Sequence, residues 1–239
     1  MTLKQLPSGL AETRNSLHQL AFFALSPARY KAMGRMGLRH TPGGFGTPEF
    51  DGRVARIEGD QLVHEQDGNV ATQVITTIRE AAEFFGSDYQ VEWFADFHDP
   101  LTASDPDAQL SVSQDASLAI GAWFEFGFDV LNELRTHGLE GDDVSEVQLW
   151  PEHLDSATEL GDYEKAQRAS FGASPGDGLN PEPYLYVASW SDIDRSNTYW
   201  NSTSFNGSSL AYSGLLASDD PKGMALEFLL EGYRVLHAV

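Results

Sequence analysis

Leu10, Leu17, Leu20, Ala21 and Ala24 recur near a helical spacing between Ser8, an N-cap residue type, and Ser26-Pro27, which disfavours helix. This predicts a first helix over residues 9–25. Downstream the period drops to two. Segments 35–39, 53–58, 61–65 and 69–75 alternate in part and are joined by Gly-Asp and Asp-Gly turns, which predicts a β-meander. Thr76 or Thr77 then caps a helix through Phe85, with Gly86 at its C′ position, and residues 89–94 read as one more strand.

Residues 96–109 carry Pro100, Pro106 and several aspartates that break both periods, so they read as a loop linking two halves. Beyond it, Leu118, Ile120, Trp123, Phe124, Phe126, Val130, Leu131 and Leu134 make the helix of residues 115–136 apolar almost all round, which predicts a central, buried position. Segments 144–150, 154–160, 183–188 and 210–214 read as strands. Asp220 as N-cap, Pro221 at N1, and Ala225, Phe228, Leu229, Gly232, Tyr233 and Leu236 on one face predict a closing helix. The sum is an α+β fold of mostly antiparallel sheet, one sheet or two, with a central helix and flanking N- and C-terminal helices. The order helix, strands, helix occurs twice, so a pseudo-duplication is one reading. A single compact domain over residues 1–239 is expected, with lobes at 1–95 and 110–239.

Composition narrows the chemistry. The 239 residues contain no cysteine, which excludes a disulfide scaffold, a thiolate zinc site and a cysteine nucleophile. An apolar share of 41% is ample for a core. The 36 acidic residues against 15 basic ones give a net charge of -21, which argues against nucleic acid and anionic membranes as partners. The run Leu20–Leu25 is too short for a signal peptide or a membrane span, and a soluble cytoplasmic protein is expected. Charge is uneven. Lys4, Arg14, Arg29, Lys31, Arg35 and Arg39 face Glu12 alone in the first 39 residues. That segment either docks on an acidic body or forms a local anion site around Arg35 and Arg39.

Among candidate constellations, His153 and Asp155 would share one face of an extended segment, where the carboxylate would orient the imidazole for general-base work or metal binding. Two Gly- and Pro-rich stretches, 41–52 and 171–183, read as binding loops, the second presenting Ser174 and Asp177. Residues 184–212 hold Tyr184, Tyr186, Trp190, Tyr199, Trp200, Phe205 and Tyr212, aromatics suited to lining a site or filling a core. Gly43-Gly44-Phe45-Gly46 lacks the lysine of a P-loop and the spacing of a dinucleotide turn, and reads as a turn needing positive φ. Asp96, His98, Asp99, Asp105 and Asp107 lack the spacing of a calcium loop and read as a solvated acidic linker. The H-E-x-x-H signature does not occur.

Several blocks resemble those of a family of uncharacterised, mostly actinobacterial proteins: Ser16-Leu17-His18, residues 38–47 around Thr41-Pro42-Gly43-Gly44-Phe45-Gly46-Thr47, Trp150-Pro151-Glu152-His153-Leu154-Asp155, residues 171–177, residues 181–187 and Trp200-Asn201. The resemblance implies one intact fold over most of the chain and interest in His153, and carries no activity or cofactor. The reading that emerges is a non-enzymatic module that binds a small polar ligand or a partner. Trp150, His153, Asp155, Asp177, Tyr184 and Tyr186 would line the site, with Arg39 or His40 opposite. The alternatives are a metal-dependent or acid/base enzyme using His153 with Asp155, recruiting His40, His98 or Asp177, and a structural subunit of an oligomer.

Overall fold

The computed structural model describes residues 3–89, 101–102 and 104–238. Contacts group the chain into two units that interleave in sequence. The first comprises Leu6–Glu125 and Leu149–Leu154; the second comprises Met1–Gln5, Phe126–Gln148 and Asp155–Val239.

The first unit opens with α1 (Leu10–Leu20), a π-turn (Ala21–Leu25) and α2 (Ser26–Met33). An antiparallel meander follows, β1 (Arg39–Thr41), β2 (Gly44–Gly46), β3 (Arg53–Glu58), β4 (Gln61–Gln66) and β5 (Asn69–Val74), whose strands lie in sequence order. Next comes α3 (Ile78–Phe84), whose first turn is capped by the Thr77 hydroxyl accepting from the Glu80 amide. Leu17, Leu20, Phe22, Phe23, Ile57, Leu62 and Phe85 are fully or almost fully buried in its core. Arg79 ties residues 104–110 to this unit, through an ion pair to Asp107 at 2.6 Å.

Helix α4 (Gln114–Arg135) serves both units, residues 114–125 in the first and 126–135 in the second. Its close contacts run through glycine. A Cβ on Gly121 would stand 2.7 Å from the Gly44 amide nitrogen, and one on Gly127 2.7 Å from the Ala173 Cβ. Gln114, Asp115, Leu118, Glu125, Asp129 and Asn132 are its exposed residues; Ala119, Ala122 and Phe128 are half-buried and its other apolar residues are buried.

The second unit holds β6 (Asp143–Val144), β8 (Asp155–Gly161), β9 (Ala169–Ser174), β10 (Tyr184–Ser189) and β11 (Gly207–Ala211) in the antiparallel order β11-β10-β9-β8-β6. The short β7 (Gln148–Trp150) comes between β6 and β8 in sequence, and its Leu149 and Trp150 group with the first unit. Two helices close it, α5 (Tyr212–Leu216) and α6 (Pro221–His237). Asp220 caps α6 by accepting from the Gly223 amide, and Pro221 occupies the first turn, where a missing N–H costs nothing. The α+β class, the antiparallel sheets, the central helix and both flanking helices agree with the sequence.

Several boundaries differ for identifiable reasons. The first helix does not stop at Ser26-Pro27. The π-turn lets the Ser26 amide bond the Ala21 carbonyl, so Pro27 falls at the start of α2, and the helix ends at Gly34 with φ 65°. Its N-cap is Gly9, with no side-chain bond, in place of Ser8. Residues 35–37 are not strand, Leu38 makes only an isolated bridge to Leu149, and β1 begins at Arg39. Residues 41–52 are in good part hairpin, because Gly43 makes the turn at φ 70° and Gly44 passes so near β3 that a Cβ would stand 2.0 Å from the Ile57 oxygen. Glycines that suggest a loop are there for close approach. The same holds at Phe171–Ser174, which is strand, and β11 lies earlier than residues 210–214, with α5 starting at Tyr212. Residues 90–94, and Asp96, His98 and Asp99, lie outside the described residues.

Candidate functional site

Along β10, Tyr184, Tyr186 and Ala188 are half-buried while Leu185, Val187 and Ser189 are buried, the alternation expected of a strand with one packed face. Tyr184 lies opposite Ser174 and Tyr186 opposite Gly172 on β9, and Gly172 lies opposite Ala157 on β8. Asp155, two residues before Ala157, therefore shares the face of the two tyrosines. Gly172 makes their meeting feasible, because a Cβ there would stand 2.3 Å from Tyr186 Cζ. With no side chain beneath it, the Tyr186 ring lies across β9 and its hydroxyl donates to Asp155 Oδ2. Asp155 is 5% exposed.

A second pair stands beside the first. Tyr184 donates to Asp177 Oδ2 at 2.7 Å, and the two tyrosine rings are 6.2 Å apart. Asp177 Oδ1 accepts from the Leu179 and Asn180 amides at 2.6 and 2.7 Å. Burial pushes the Asp177 carboxyl up, but the Tyr184 hydroxyl and these amides outweigh it and hold it below the usual carboxylate range. Burial first, and then Asp177, raises the Tyr184 phenol; burial first, and then Asp155, raises that of Tyr186. Both phenols stay protonated at physiological pH and act as donors. The face thus offers carboxylate lone pairs and phenolic oxygens, which suit a ligand rich in N–H or O–H groups.

The four residues above are half of those expected from sequence. Trp150, His153, Arg39 and His40 belong to the first unit. Trp150 and His40 are half-buried, and Arg39 and His153 are exposed. The extended reading of His153 and Asp155 is overturned. Residues 151–154 form a turn, with Leu154 left-handed at φ 52°, and β8 begins only at Asp155, so strand alternation does not apply to this pair. His18 explains the turn. Its Nε2 lies 3.0 Å from the carbonyl oxygens of both Pro151 and Glu152 and donates to them from α1. Burial, and more weakly His153 and Arg14, lowers the His18 pKa against the pull of these two carbonyls. Leu38 and Leu149 bridge the same region through backbone bonds of 2.8 and 2.9 Å.

One constellation was not read from sequence. Asp142 accepts from the Tyr233 hydroxyl at 2.5 Å, from His237 Nε2 at 3.1 Å and from the Leu139 amide at 2.9 Å. Burial raises the Asp142 carboxyl, and the three donors more than reverse it; burial, and then Asp142, pushes the Tyr233 phenol up to about 12. The signal is present in α6, where Tyr233 and His237 are four residues apart on one face, but no local pattern singles out Asp142 as their partner.

Two open clefts of about 490 and 300 Å³ line β5 in the first unit, the larger bounded by Gln73, Thr76, Glu80, Glu83 and Phe84, the smaller by His64, Asp67 and Asn69. The paired tyrosines and carboxylates are the stronger candidate, because their polar groups converge on one sheet face. Among the described residues no three His, Asp or Glu side chains group as a metal ion requires, which leaves the metal-dependent alternative without a ligand set there. No described helix is long and apolar enough to cross a membrane. Comparison of the chain with protein-family models, with curated proteins and with solved structures found no match.

Proposed function

We propose that the chain is a small-molecule binding module, without catalytic chemistry of its own, whose site is the face of the second sheet carrying Tyr184, Tyr186, Asp155 and Asp177. The observation that supports it is the pair of phenol–carboxylate contacts set side by side on one face, with Gly172 kept bare to admit one of them. Two acidic acceptors with two protonated phenols select a small polar ligand that donates hydrogen bonds, a polyol or an amine. A thermal-shift screen of polyols and primary amines tests this. The expected result is a saturable stabilisation by one class, lost in Asp177→Asn and in Tyr184→Phe. A screen in which no compound stabilises the wild-type chain more than it does these two variants would overturn the proposal.

A further inference from the structure

Arg29 is 7% exposed, yet the partner it holds is the carbonyl oxygen of Gly37, a neutral group. Its Nε is buried without a partner. An arginine cannot shed its charge, so a buried guanidinium calls for an anion. This chain has 36 acidic residues to draw on, and none is paired with Arg29 among the described residues. Sequence and structure agree on the point, because no aspartate or glutamate occurs between Glu12 and Glu49. Burial and then Arg35, a second cation, depress the Arg29 guanidinium.

The loop that joins α2 to β1 completes the setting. Gly34 turns it at φ 65°, and the Ser26 hydroxyl pins it by donating to the Met36 carbonyl at 3.0 Å. Arg29 pins it again at Gly37. Among the described residues the amides of Arg35, Met36 and Gly37 donate to no backbone carbonyl. The segment follows the π-turn of residues 21–25, a distortion that recurs beside functional sites.

We propose that this loop binds a tetrahedral oxyanion, a phosphate-type dianion, between Arg29 and Arg35 with the loop amides as further donors. Two cations without an internal carboxylate favour a dianion over a single carboxylate group, and a guanidinium fork with free amides matches several oxygens at once. The site lies in the first unit and stands or falls independently of the face of Tyr184 and Tyr186. The positive segment explains how a chain of net charge -21 can still attract an anion at close range, within a Debye length of about 8 Å at physiological salt.

Calorimetric titration of the full chain with inorganic phosphate, sulfate and acetate at constant ionic strength tests it. Expected is saturable phosphate binding, weakened at least tenfold by Arg35→Ala, with acetate neither binding comparably nor competing. Arg35 is exposed, so its removal leaves folding intact. Arg29→Lys, which keeps the charge and loses the fork, should also weaken phosphate, and Arg35→Ala carries the test if that variant fails to fold. Absence of saturable phosphate binding, affinity unchanged in Arg35→Ala, or acetate binding as tight as phosphate would each overturn the proposal.

Discussion

Replacing Gly172 by alanine adds one methyl group at the most crowded point of the second sheet's tyrosine face. The new Cβ would stand 2.3 Å from Tyr186 Cζ and 2.4 Å from its hydroxyl oxygen, so the ring has to leave β9. Two costs follow. Overpacking of this kind takes about 1–3 kcal/mol. Withdrawing the Tyr186 hydroxyl from a carboxyl that is 5% exposed takes about 1.5–3 kcal/mol more. The sum, roughly 2.5–6 kcal/mol, corresponds to a fall in Tm of roughly 5–24 °C for a chain of this size. Tyr186→Phe leaves the ring in place and incurs only the second cost. In the double variant the hydrogen bond is lost only once, so its total should fall short of the two single effects added together by about 1.5–3 kcal/mol. Urea unfolding followed by tryptophan fluorescence gives all three values. A Gly172→Ala variant within about 0.5 kcal/mol of wild type, or strict additivity with Tyr186→Phe, would refute the idea that the bare glycine exists to bring this phenol to Asp155.

Asp142→Asn removes a buried carboxylate that accepts from Tyr233 and His237 of α6 and from the Leu139 amide; a loss of about 1.5–3 kcal/mol at neutral pH is expected in urea unfolding. Because the folded Asp142 carboxyl sits below its ordinary value, its contribution is complete above the usual carboxylate range and declines as pH falls through that range to the folded value, so the variant should show a flatter acid limb. His18 is held below its ordinary value when folded, so the unfolded chain takes up a proton first and stability should fall as pH drops below about 6.5. His18→Gln, which keeps a donor for the two carbonyls, should remove that slope, as read from melting curves across pH 5–8. Asp220→Ala should cost about 1 kcal/mol through the lost cap of α6, measurable as a shift in the urea midpoint.

Element types were legible where side-chain period and capping agreed. The meander from Arg53 to Val74, the Thr77 cap, the long α4 and the Asp220-Pro221 start of α6 all follow from local rules. What local reading missed was glycine acting at a distance. Gly44 and Gly172 look like loop residues in a one-dimensional reading, and their reason is an atom elsewhere in the chain, the Ile57 carbonyl in one case and the Tyr186 ring in the other. Candidate site residues show the same division. The alternation of β10 identified Tyr184 and Tyr186 correctly as one face, but no short-range pattern reveals that Asp155 and Asp177 are the groups they reach. His153 and Asp155 failed in the opposite way, because a left-handed Leu154 breaks a period that the residue types alone allow.

The π-turn of residues 21–25 acts as a phase shifter. An α-helix advances about 100° per residue, and one wide turn absorbs the equivalent of an extra residue, so α1 and α2 are rotated against each other by about that angle relative to one regular helix. The residue that gains most from this is Arg29, whose buried direction is set by the turn eight to four residues before it. Deleting a single residue between Ala21 and Leu25 would restore regular helix, carry Pro27 into a helix interior and swing Arg29 about a quarter turn or more from the Gly37 carbonyl. The length of this segment, more than its apolar composition, is therefore the property under constraint.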